Sequence, residues 1–472
     1  MFEPVIAPSG TLLGLLQRGR GDGTLHALTA PRSEALAALN HCVLRDPRHD
    51  WQVENRSLYY ARLYLDLNGE LDDIEAHLFS AEDVLDTDDC RTGLALAVLG
   101  HLASYGRRDA LELLRRYAAS GSNWAWALDE LALRDDDAGL RALAAPVLAR
   151  FPADAEGEAE LAAAVRDAFE PRPWRLWADD PRPSVATRVR AAQEAGCFDR
   201  WQRQMRSQGP RPGWSVQAVF DWAQQGVDRG AVLHVPAARC LTAVAGPEDR
   251  PEIVEAARSG GDGARCTALR YLADSNDTEA LDLIEAAVSS GSALVVDAAV
   301  AAFERMRSVA AVDRARGWAR RPDALGAAAA RMLACRGGAQ DSDLVLTALR
   351  EGVRGEGPDA PTLWPLVDGA GRLGIAGAAP VLRHIYRETA SSHLRGRAAR
   401  ALAATDPSFP AGFAVECLWD CEESTREIAA RHAETGDARV VERLRRLAAD
   451  PAEEAEVQTA VRSRIGPDMP TV

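Results

Sequence analysis

The chain has 472 residues, of which 47% are hydrophobic and only 6% aromatic, enough for a large core or for one long repeat array. A formal net charge of −15 argues against general coating of nucleic acid, which relies on a basic surface. All 55 basic residues are Arg, a bias that a GC-rich coding sequence explains, so every positive charge is a planar, permanently ionised fork.

The N-terminal stretch Met1–Leu16 holds Glu3 and two Pro, with neither a basic start nor a long apolar run, so no signal peptide is expected. No run of about 18 apolar residues occurs, which predicts no membrane span. Eight scattered Cys fit a reducing cytoplasm better than an oxidising compartment. Ala and Leu dominate and strand alternation is rare, which predicts an all-α chain. Residues 1–170 read as an N-terminal helical region of degenerate repeats. Its clearest hairpin is Leu94–Gly121, where Tyr105-Gly106 leads into Asp109, Leu111 and Leu114.

Within that region Glu54–Cys90 carries 11 Asp and Glu against two Arg. Asp83, Asp86, Asp88 and Asp89 lie close together, but their spacing is not that of an EF-hand loop. The segment reads as a solvated face with carboxylates at helix N-termini, or as a dock for a basic partner or a cation.

Residues 171–235 read as a Pro/Arg/Trp-rich junction, placed near 170–184, which is either a hinge or only an irregular stretch within one solenoid. Pro171–Trp214 has nine Arg against four acids and four Trp. Such a composition grips phosphates and stacks bases, or makes protein contacts, or fills an irregular helix junction. Trp174, Arg175, Trp177, Arg200, Trp201, Arg203, Arg206 and Trp214 are the candidate partner-binding residues.

Residues 236–465 repeat a helix, a turn and a second helix. The turns fall near Gly246, Ser275, Arg307, Gly338, Gly374, Thr405 and Gly436, 29 to 36 residues apart. Gly352–Pro361 is expected to be a longer loop. In Thr425–Asp450, Ile428, Ala429 and Ala433 precede the Gly436-Asp437 turn. Val440, Val441, Leu444, Leu447 and Ala448 then form one stripe, leaving Arg439, Glu442, Arg443 and Arg446 to solvent. Ala280, Leu281, Ile284 and Val288 form the equivalent stripe of Arg270–Gly291. Cys417 and Cys421 share a helix face and read as buried thiols rather than metal ligands. Ser259–Gly263 reads as an inter-helix turn, without the Lys and preceding strand of a phosphate loop. Residues 466–472 read as a flexible tail.

Paired alanines, a Gly-Asp turn and an aliphatic second helix resemble HEAT repeats, particularly the short bacterial kind found in phycobilin lyases. The resemblance is clearest at Thr425–Asp450 and extends over Pro236–Ile465. It implies an α-solenoid of HEAT-like helical hairpins and leaves activity open, because that family hosts scaffolds, lyases, hydroxylases and glycosylases. The di-iron hydroxylases of this kind use His-Glu dipeptides, and the chain has none. Trp364 and Asp368 have a spacing that a HEAT-like DNA glycosylase could use, but Pro365 follows the Trp. The pair reads as a core Trp and a helix-N-terminal Asp. No HExxH, GxSxG or paired CxxC pattern occurs. The expectation is a non-enzymatic, cofactor-free protein-interaction scaffold, with a binder of nucleic acid or another anion through residues 171–214 as the alternative.

Overall fold

The computed structural model describes residues 6–47, 56–83, 91–204 and 213–465. Helix makes up 74% of the protein, and no strand occurs among the described residues. Helix starts follow capping chemistry that is present in the sequence. The side chains of Asp136, Ser215, Ser308 and Asp323 each accept a backbone N–H three residues on. Gly352–Pro361 departs from expectation: the helix Ser342–Glu356 runs through Gly352, and the chain leaves it at Gly357, with φ +86. Val345 and Leu349 anchor that helix, and Pro358 follows it because proline cannot continue one.

The protein forms two compact units that do not follow chain order. The first combines Met1–Ser207 with Tyr386–Ala399 and Pro407–Val472. Its core runs from Leu12 through Tyr60, Leu99, Leu131 and Trp177 to Ala192, and takes in Cys421. The junction read near 170–184 lies inside this unit. Trp174, Trp177, Val185 and Val189 all belong to this one core.

Polar contacts join the N-terminal and C-terminal segments of this unit. The Cys421 amide donates to the Gly19 carbonyl at 2.9 Å. Arg62 Nε donates to Asp450 at 2.9 Å, and the Tyr105 hydroxyl reaches the same carboxylate at 2.8 Å. Arg395 and Asp420, both fully buried, pair through two bonds of 2.7 and 3.0 Å. Gly21 lies so close to the Glu416 carbonyl that a Cβ would sit 1.8 Å from it, so no other residue fits without movement. In the last hairpin Val440, Leu444 and Leu447 are buried as the stripe predicts. Arg443 is not wholly solvated as expected. It is half-buried, lies over the Trp419 ring and donates to the Leu418 carbonyl at 3.0 Å.

The second unit is Gln208–Ile385 with Arg400–Asp406. Its helices alternate between two layers. His234–Val244, Asp262–Asp274, Ala293–Arg305, Ala324–Arg336 and Trp364–Arg372 pack successively on one another. Arg250–Ser259, Ala280–Val288, Val309–Trp318 and Ser342–Glu356 each cover the helix that follows. Small residues permit the close stacking. A Cβ on Gly369 would lie 2.5 Å from that of Ala334, and one on Gly371 would lie 2.9 Å from Ala401 Cα.

Candidate functional site

Burial separates the expected partner-binding residues. Trp174 is 3% exposed and Trp177 is 0% exposed, so neither offers an indole face to a partner. Their rings meet edge to face at 4.9 Å, and Trp177 Nε1 donates to the Leu140 carbonyl at 2.8 Å. The expectation that these two Trp lie on a contact surface is therefore corrected: they are core. Arg175 is exposed, and Trp214 is half-buried edge-on to Trp222. The side chains of Arg200, Trp201 and Arg203, and all of Arg206, lie outside the described residues.

Other arginines of the same segment are engaged within the fold. Arg172 donates to the carbonyls of Ala132 and Asp135, and Arg188 to those of Leu148 and Phe151. Arg182 pairs with Asp180 at 2.7 Å. A guanidinium that closes a helix end is a structural cation, and Arg172 and Arg188 serve in this way.

The remaining motifs resolve likewise. Asp83 accepts from Arg91, Tyr117 and Ser122, while Asp86, Asp88 and Asp89 lie outside the described residues. Cys417 and Cys421 are buried, with the Tyr386 hydroxyl 3.1 Å from Cys417 Sγ. In the Ser259–Gly263 turn the Gly263 amide donates to Gln224 Oε1 at 3.0 Å and packs beside it, so it makes no anion cradle. Trp364 is half-buried and Asp368 exposed.

A surface that the sequence reading did not single out lies on the stacked layer of the second unit. Leu241, Leu272, Phe303, Leu333 and Leu402 are each buried late in their helices. Two positions before them stand Arg239, Arg270, Ala301, Arg331 and Arg400, so four of these five carry a guanidinium, while the intervening helix Trp364–Arg372 has Asp368 two positions before its buried Ala370. Arg305, one turn beyond Ala301, pairs with Asp274 at 2.5 Å. Burial, with the neighbouring charges of Arg305 and Arg239, holds Arg270 below the usual guanidinium range against the pull of Asp274. Arg331 pairs with Glu304 at 2.6 Å.

A groove of about 460 Å3 opens on this layer, with Met332, Pro361 and Pro365 as apolar lining and Glu304, Arg331 and Arg336 as charged lining. Arg239, Arg336 and Arg400 are exposed and form no ion pair among the described residues. In the opposite layer Arg250, Arg314 and Arg316 are each bound by two acids. The signal that identifies the row is the recurrence of Arg at one register of four second helices, rather than local Arg density. Compared with known proteins, the chain matches no family model and no curated sequence.

Proposed function

We propose that the chain is a HEAT-like α-solenoid acting as a protein-interaction scaffold, and that the stacked layer of the second unit takes an extended acidic segment of a partner protein. The successive packing of second helices supports the solenoid reading, because repeats of this class bury their faces on their neighbours. One observation carries the functional reading. The Arg register of that layer borders a groove with apolar lining, and two of its guanidinia, Arg239 and Arg400, together with Arg336 beside the register, pair with no acid among the described residues. An extended peptide with carboxylates and apolar side chains complements both features. The carboxylates meet the forks, and the apolar groups cover Met332, Pro361 and Pro365. Rim charges of this kind add little affinity and mainly speed and orient association.

The test uses the full chain with an array of labelled acidic peptides interspersed with Leu and Pro, and a single-stranded oligonucleotide of matched charge. Arg239, Arg336 and Arg400 are replaced together by Gln, a change that disrupts no ion pair within the fold. Peptide binding by the parent chain should weaken about three- to tenfold in the variant and lose salt dependence. Peptide binding that is absent, or indifferent to the substitutions, overturns the reading. Tighter, equally Arg-dependent binding of the oligonucleotide replaces it with the nucleic-acid alternative.

A further inference from the structure

The first unit exposes large apolar side chains beside two carboxylates that pair with no cation among the described residues. In the helix Trp124–Arg134, Trp126, Asp129 and Leu133 lie along one stripe, three and four residues apart. A later stretch of chain is pinned along that stripe. The Glu170 amide donates to Asp129 Oδ1 at 3.0 Å, and Arg172 Nη1 donates to the carbonyls of Ala132 and Asp135 at 2.7 and 3.0 Å. These bonds bring Phe169 to the same strip of surface as Leu133. Phe169 is 82% exposed and Leu133 59% exposed, Pro171 is exposed as well, and Trp126 is half-buried. Ala168 packs on the core before Phe169 and Glu170 is bonded after it, so the phenyl ring is presented from an anchored backbone. Apolar side chains gathered on a surface in this way mark a place of association.

The charges beside them have one sign. Glu130, Asp137 and Asp167 are paired with Arg134, Arg172 and Arg166, but Asp129 and Glu170 form no ion pair among the described residues. Arg175, exposed on the following helix, pairs with neither. Burial pushes the Asp129 carboxyl up to about 6 against the bond from the Glu170 amide, and the Glu170 charge adds to the rise. A cation placed at these two carboxylates would offset their mutual repulsion.

We propose that Trp126, Asp129, Leu133, Phe169 and Glu170 form a docking surface for a basic amphipathic helix of a partner protein. Its apolar stripe covers Phe169 and Leu133, and its Lys or Arg side chains meet Asp129 and Glu170. A second copy of the chain is a poorer occupant, because each copy carries a net charge of −15. The surface belongs to the first unit and is independent of the stacked Arg layer of the second. Burial of the apolar groups supplies affinity, while the carboxylates steer association.

The test measures binding of two labelled peptides to the full chain. One is a helix with a Leu stripe flanked by Lys, and the other has the same composition in scrambled order. The parent chain should bind the amphipathic peptide at least about tenfold more tightly than the scrambled one. Phe169→Ala combined with Leu133→Ala should weaken that binding about tenfold or more, mainly through faster dissociation. Asp129→Asn combined with Glu170→Gln should slow association about three- to tenfold and reduce its salt dependence. The amide introduced by Asp129→Asn still accepts from the Glu170 backbone. Because Phe169 and Leu133 are exposed, their replacement should leave the melting temperature unchanged. A marked fall there makes the patch structural and overturns the proposal. Absent binding, equal binding of both peptides, or binding indifferent to the substitutions overturns it as well. Self-association of the parent that Phe169→Ala abolishes assigns the patch to a second copy and overturns the basic partner.

Discussion

Arg372 donates from Nε and Nη2 to the Ala334 carbonyl at 3.1 and 2.9 Å, and from Nη2 to the Gly337 carbonyl at 2.9 Å. Those carbonyls end the helix Ala324–Arg336, where the last turn has no partner of its own. Arg464 closes the helix Glu423–His432 in the same way, through the carbonyls of Ala430, Arg431 and Ala433. One planar fork satisfies several acceptors of the preceding hairpin, which an ammonium on a flexible stem does less well. Arg372→Lys should cost about 1.5–3 kcal/mol, the range for hydrogen bonds to charged groups. Urea unfolding read by exchange in residues 326–338 checks it, and unchanged protection there contradicts the capping role. The same two residue types misdirect the sequence reading of 171–214. Arg and Trp suit a binding surface, but Trp174 and Trp177 turn inward here, and Arg172 and Arg188 are tied to backbone carbonyls of neighbouring helices.

At the scale of the element, the stripe Val440, Leu444 and Leu447 is legible from its 3.6-residue period, and all three residues are buried. Leu444 is 0% exposed, so Leu444→Ala should cost roughly 2–5 kcal/mol from lost transfer energy and a residual cavity. The damage should reach beyond its own hairpin. Arg62, from the helix Arg56–Asp66, is bound to Asp450 and Glu453 just after the Leu444 helix. Thermal unfolding and exchange over residues 56–66 together check this. Loss confined to residues 423–465 would make the hairpin an independent unit.

For the whole molecule, the first unit is discontinuous, so its stability depends on segments that only the complete chain brings together. Removing 407–472 strips Arg20 and Arg62 of Glu416, Asp450 and Glu453, and leaves Arg395 fully buried without Asp420. An uncompensated buried cation costs about 3–5 kcal/mol, comparable with the stability of a whole domain. A chain ending at residue 406 should therefore lose exchange protection over residues 12–66 while the helices of residues 250–336 keep theirs. Retained protection over 12–66 would mean that the N-terminal helices stand alone.

Composition, Ala and Leu content and helical period determined by themselves that the protein is helical, and which residues of a few helices, such as Val440, Leu444 and Leu447, are buried. Those are properties of neighbours three or four residues apart, and local sequence records them. Three things were decided only by the tertiary structure. Trp174 and Trp177 became core because Leu140, Trp124 and Phe151 close around them. Arg239, Arg270 and Arg331 came to share one surface because helices about thirty residues apart align the same position side by side. Glu416 became the ion-pair partner of Arg20 because folding brings together residues 396 positions apart in the sequence. A carboxyl group's titration depends on the charges and water around it, and those neighbours are set by chain folding rather than by local sequence.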